Sequence, residues 1–99
     1  MIYILEDNPN MNFISAQKYG ELKAIFPVGT SVGLSASQIQ KQLEISLKDF
    51  NDSDFIIPTG DPAIMIIAGW VLGKYTDIIS ILKWDRANKD KTWAHHVVN

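Results

Sequence analysis

The sequence predicts an α/β fold: one small domain over residues 1–99, with two helices packed on a mixed sheet of about five strands. Three observations lead there. Short apolar runs rich in Ile, Val and Phe recur between polar breaks, as buried strands do. Two longer segments carry apolar residues at helical spacing or throughout. Strand-like and helix-like segments alternate, which parallel βαβ units with right-handed crossovers require.

In chain order, residues 1–5 hold Ile2, Tyr3, Ile4 and Leu5 before an acidic stop at Glu6 and Asp7, the pattern of a short strand buried on both faces. Residues 8–20 have no period, because Asn8, Pro9, Asn10, Asn12 and Ser15 interrupt it; Phe13, Ile14 and Tyr19 mark it as a long loop pinned to the body. Loops of about a dozen residues are uncommon in compact domains unless they serve a function or move, so this segment attracts attention. Residues 21–26 read as a second strand ended by Pro27, and residues 28–34, with Gly29 and Gly33, as a turn or flap. Ser35 and Gln38 have capping-box spacing, and Ile39, Leu43, Leu47 and Phe50 then recur on one face of an amphipathic helix whose other face carries Gln40, Gln42, Glu44 and Lys48.

Residues 54–57 form a third strand leading into Pro58-Thr59-Gly60-Asp61-Pro62. Asp61 suits an N-cap and Pro62 the first helical position, where a missing N–H costs nothing. The nearly unbroken apolar run that follows to Tyr75 reads as a buried helix, with Gly69 and Gly73 on one face allowing close approach. Each glycine weakens the isolated helix by about 1 kcal/mol, so packing must compensate. Residues 78–84 and 91–98 are the fourth and fifth strands, an antiparallel hairpin turning at residues 87–90.

Composition excludes several function classes. A net charge of −2, with no Lys/Arg stripe, argues against duplex nucleic acid. Without cysteine there is no disulfide framework, thiolate zinc site or thiol nucleophile. No basic and apolar leader opens the chain, and its longest apolar run, residues 63–72, is about half a membrane span. The expectation is a cytoplasmic protein that does not enter a membrane. A domain of this length buries under about 70% of its unfolded surface, so a homodimer is expected as well.

In an open parallel sheet, ligands sit beyond the carboxyl ends of the strands. If the first, third and fourth strands are parallel, that edge gathers Glu6, Asp7 and Asn8, then Thr59, Gly60 and Asp61, then Asp85 and Arg86, and all of these but Glu6 are the candidate ligand-binding residues. Asp7, Asp61 and Asp85 suggest a carboxylate cluster for Mg²⁺, but each also has a local task, as strand stop, helix cap or partner of a nearby cation. Thr59-Gly60 at a helix N-terminus suggests an anion cradle; Pro62 removes one donor and Asp61 already brings a carboxylate there. No metal site, cofactor or catalytic residue is assigned. Adjacent His95 and His96 on a strand point to opposite faces and do not share a metal. Trp84 and Trp93 read as core before interface, and no serine sits in a nucleophile elbow.

Residues Ile4-Leu5-Glu6-Asp7-Asn8 resemble the opening strand of response-regulator receiver domains, but no helix follows and no later lysine is suitably placed, so that assignment is rejected. Three stretches together, Asn12-Phe13-Ile14-Ser15-Ala16 with Tyr19-Gly20-Glu21, Pro58-Thr59-Gly60-Asp61-Pro62, and Leu82-Lys83-Trp84-Asp85-Arg86, resemble small proteins of unassigned function encoded by tailed bacteriophages. The resemblance implies a host-cytoplasm setting and supplies no catalytic residues. Two functions follow as expectations: a non-enzymatic interaction or accessory protein with a protein partner, or a binder of a small molecule, anion or nucleotide around Thr59 and Asp61.

Overall fold

In the computed structural model, which describes residues 1–31, 33, 35–86 and 92–99, five strands form one sheet in the order β2-β1-β3-β4-β5. The strands are β1 (Ile2–Glu6), β2 (Leu22–Phe26), β3 (Phe55–Ile57), β4 (Ile79–Asp85) and β5 (Thr92–Val98). β1 pairs in parallel with β2 and β3, and β3 in parallel with β4. β5 closes the sheet antiparallel to β4, with Ile79 opposite Val98 and Asp85 opposite Thr92. The expected α/β domain with a mixed sheet and two helices is therefore the observed one. The expected hairpin turn at residues 87–90, the proposed strand start at Lys91, and Val32 and Leu34 of the expected turn or flap lie outside the described residues.

β1 is apolar on both faces because it has neighbours on both sides and a cover above and below. Tyr3 and Leu5 face the two helices, α1 (Ala36–Leu47) and α2 (Pro62–Tyr75), while Ile2 and Ile4 face the opposite layer. α1 starts where Ser35 Oγ accepts the Gln38 N–H at 3.3 Å, half of the expected capping box, and buries Ile39, Leu43 and Leu47. α2 starts at Asp61 and buries Ile64, Ala68, Val71 and Leu72. The helices pack on each other and on the same sheet face.

The second sheet face is covered by residues 8–20. This segment contains a 3-10 helix, η1 (Ile14–Tyr19), where the sequence predicts only an irregular loop. Asn12 organises it: its side-chain oxygen accepts the Ile14 N–H at 3.1 Å and its carbonyl accepts the Ser15 hydroxyl at 3.1 Å. Ser15 Oγ in turn accepts the Trp93 indole N–H at 2.9 Å, and the Phe13 ring stacks on Trp93 with centroids 6.1 Å apart. Phe13, Ala16 and Trp93 are buried with Ile4, Ile57 and Leu82 in this second core. His95 lies beside Tyr19 and Phe55 on the same face, and His96 is on the other, as alternation along a strand predicts.

The expectation of a buried α2 needs correction. Its inner face is buried, but Ile66 is 75% exposed and Trp70 58% exposed. Two layers of helix and sheet leave a third side of α2 outside the core. Trp70 carries the Lys74 ammonium 4.0 Å above its ring, and Lys74 also pairs with Glu44 of α1. Among the described residues no helix is long and apolar enough to cross a membrane.

Two outcomes follow from this packing. Phe13→Ala is expected to lower global stability by about 3–5 kcal/mol in urea unfolding, the cost of emptying an aromatic core site; a loss below about 1 kcal/mol would show that η1 is peripheral. Hydrogen bonding to Lys74 holds the Glu44 carboxyl below its ordinary 4.5. The contribution of the pair is thus complete above about pH 4.5 and disappears as pH falls through the lowered value, so Glu44→Gln is expected to flatten thermal stability on the acid side alone.

Candidate functional site

The sheet order satisfies the condition on which the carboxyl-edge site depends: β1 and β3 are neighbours, and β4 follows. The chain leaves β1 for β2 over one face through η1 and returns to β3 over the other through α1. The reversal makes the β1/β3 crevice the topological switch point, where open α/β sheets hold ligands.

Thr59 fills that crevice. Buried at 9% exposure, its hydroxyl accepts the Glu6 N–H at 2.9 Å and donates to the Glu6 carbonyl at 2.6 Å, joining the ends of β1 and β3. Gly60 sits beneath the Glu6 side chain with φ of 92°; a Cβ there would collide with the Glu6 carboxylate and its Cβ. Only glycine combines that close approach with that backbone angle at no cost. The Glu6 carboxylate also accepts the Gly29 N–H at 3.0 Å, tying in the loop after β2. Asp61 turns back onto its own helix, accepting the Ala63 N–H at 2.9 Å. Asn8 accepts the Asn10 N–H at 2.9 Å in a local turn, and the Asp7 N–H donates to Phe26 at 2.9 Å with its side chain exposed.

Asp85 and Arg86 lie further along the same edge and line separate hollows. One, of about 530 Å³, is a shallow depression over Lys83, Asp85, Ala94 and His96 with Trp84 and Arg86 at its side. The other, of about 200 Å³, lies between Trp84, Trp93 and Arg86 and residues Asn10 to Asn12. The sequence-derived set thus divides: Thr59, Gly60 and Asp61 meet Glu6 at the crevice, whereas Asp85 and Arg86 belong to the β4–β5 hairpin. Among the described residues no three Asp, Glu or His side chains gather closely enough to hold a metal ion. Tyr3, beneath the helices, has its hydroxyl pushed above the ordinary 10 by burial, with Asp54 and Asp49 adding to the effect.

A second surface emerges that the sequence argument passed over. The helices cover the helical face of β4 only in part, with Ile79 and Ile81 half-buried against them, and among the described residues that face of β5 carries no helix. A groove of about 250 Å³ runs there, lined on the strands by Ile79, Ile81 and Val98 and on the helix by Met65, Gly69 and Leu72. Ile66 and Trp70 are exposed elsewhere on α2, where they line a separate hollow of about 300 Å³ with Ile67 and with Gln40 of α1. Its signal in the sequence is the absence of a polar face anywhere between Pro62 and Gly73.

A family model described as Phage Pam3 gp32-like protein matches residues 3–99. The chain belongs to the Phage Pam3 gp32-like protein family. The match runs through all three stretches that carry the likeness to phage proteins, which is thereby borne out. No curated protein and no solved structure matches the chain.

Removing the Thr59 hydroxyl tests whether the crevice is closed. Thr59→Val leaves the Glu6 N–H and carbonyl without their partner and is expected to cost about 2 kcal/mol or more in urea unfolding. A loss below about 0.5 kcal/mol would mean that water, and so a ligand, already reaches these groups. Gly60→Ala is expected to cost about 1–3 kcal/mol for its backbone conformation and for displacing Glu6.

Proposed function

We propose that this chain is a non-enzymatic interaction protein of phage origin, acting in the cytoplasm of the infected cell by binding another protein through the groove between α2 and β4–β5. The observation that carries this reading is the groove itself. Antiparallel strands that face water normally alternate apolar and polar residues, with polar ones outward. Here Ile79 and Ile81, half-buried against the helical core, and the exposed Val98 line one side of the groove, and α2 lines the other. An apolar groove of this kind, with further exposed apolar side chains on the same helix, supports a protein contact over a solvated face.

The carboxyl edge supports the alternative less well. A small molecule, anion or nucleotide has the adjacency of β1 and β3 in its favour. Yet Thr59 and Asp61 direct their side-chain oxygens to the protein's own backbone, and an anion would meet the carboxylates of Glu6 and Asp61. The phage family supports the setting and names no reaction.

A photo-crosslinking amino acid placed at position 66, 98 or 41 in phage-infected cells tests the reading. Protein adducts are expected from position 98, beside the groove, and position 66, exposed on the helix that lines it, and not from position 41 on the outward face of α1. Equal adducts from all three sites, or none, would sink it. A small molecule retained in native mass spectrometry and released by Thr59→Val would move the function to the crevice.

A further inference from the structure

We infer that a second copy of this chain pairs with the outer edge of β5, antiparallel and centred on His95, so that two five-stranded sheets become one. An edge strand presents a row of unpaired N–H and C=O groups, and folded proteins guard such edges with charge, proline, a bulge, shortness or a covering element. β2, at one end of the sheet, is guarded: it has 5 residues, carries the exposed Lys23, and is followed at once by Pro27. β5 is the other end, and among the described residues no strand pairs with its outer side. Its 7 residues include no Lys, Arg, Asp, Glu or Pro. They pair one for one with Ile79 to Asp85, so no bulge turns the edge away. Lys18 of η1 touches the first of them, with its Nζ 3.5 Å from Thr92 Oγ1, and residues 95–98 beyond are exposed.

Two valines show that the strand lacks a neighbour at its edge and not on a face. Alternation along β5 puts Val97 on the η1 side of the sheet with Trp93, and Val98 on the helical side beside the groove. They are 53% and 52% exposed. A partner lying on either face would cover one of them, whereas a strand alongside β5 flanks both.

The same strand from a second copy fits this place. A two-fold axis at His95 pairs β5 with itself over its whole length: Thr92 opposite Val98, Trp93 opposite Val97, Ala94 opposite His96, and His95 opposite its counterpart. No Lys, Arg, Asp or Glu meets its like across the seam, and each Val97 comes beside the other copy's Trp93, which extends the second core from one copy into the next. A foreign strand selected by its charges would find none on β5 to pair with. Because each copy has one guarded edge and one open edge, the contact closes at two copies and does not grow into a fibre. The axis stands perpendicular to the sheet, so the helices of both copies lie on the same side. The two α2 grooves then open side by side, with the Val98 residues that border them about 20 Å apart along the seam. The contact uses the edge of β5 and not the groove, so either can fail without the other.

Sedimentation equilibrium between about 1 and about 100 µM tests the inference. The wild-type chain is expected to be a dimer. His95→Lys and His95→Glu each set like charges directly opposite and are expected to raise the dimer Kd by at least about ten-fold, with circular dichroism checking the fold. An equimolar mixture of the two is expected to regain dimer, because an ammonium then faces a carboxylate. A cysteine scan gives a second measurement, since the chain has no cysteine of its own. On oxidation His95→Cys is expected to form a disulfide-linked dimer, and Val97→Cys, about 13 Å from its own counterpart, is not. A monomeric wild type, a dimer indifferent to both charges, a mixture of folded variants that stays monomeric, or a disulfide from position 97 in place of 95 would each overturn the pairing.

Discussion

A strand paired in parallel on both sides presents apolar side chains above and below the sheet, and both sets must leave water. β1 is that strand here, and most of the molecule answers to it. α1 and α2 cover Tyr3 and Leu5; η1 and the aromatic pair of Phe13 and Trp93 cover Ile2 and Ile4. The two covers come from the two directions in which the chain leaves and re-enters the centre of the sheet, so the crevice beside β1 is a product of the same requirement. Thr59 then closes that crevice with two hydrogen bonds to Glu6. A position that in many α/β proteins is left for a ligand serves here to hold strand ends together.

The cover runs out at β4. Continuing with a crossover would have placed a helix over β4 and its next neighbour, whereas the hairpin to β5 extends the sheet with no such helix. On the η1 side the extension is well served, since Leu82, Trp84 and Trp93 join the second core. On the helical side it is not, and the residues there divide along the strands. Ile79, Ile81 and Val98 face the groove at one end; Lys83, Asp85 and Arg86 occupy the other. A surface shaped only by solubility would carry the second kind of residue along its whole length.

Much of this was legible in the sequence, because the strands and helices follow from local patterns: apolar runs between polar stops, Asp61-Pro62 opening α2, and Ser35 opening α1. The carboxyl-edge residues were legible for the same reason, since chain direction alone places them at strand ends. What they do there was only partly so. The pair of hydrogen bonds between Thr59 and Glu6 spans 53 residues, and the hydrogen bond from the Trp93 indole to Ser15 spans 78; neither leaves a local trace. η1 escaped notice because its order comes from the Asn12 side chain and from burial of Phe13 and Ala16, not from helical periodicity. The composition of α2 implies a buried helix, and composition does not reveal how many layers a domain has to offer.

The central position of β1 has a further consequence, for how the chain reaches this structure. Ile2 lies beside Leu22 on one side and Phe55 on the other, so during synthesis β1 stays without its second neighbour until β3 has been made. Pairings this distant slow folding, because loop closure must precede the contacts that reward it. In the interval the apolar run from Ile2 to Leu5 lacks one of its two partners, the kind of segment on which nascent chains associate wrongly. The residues that make β1 the anchor of the finished sheet are thus also the ones that most need shielding before the sheet exists.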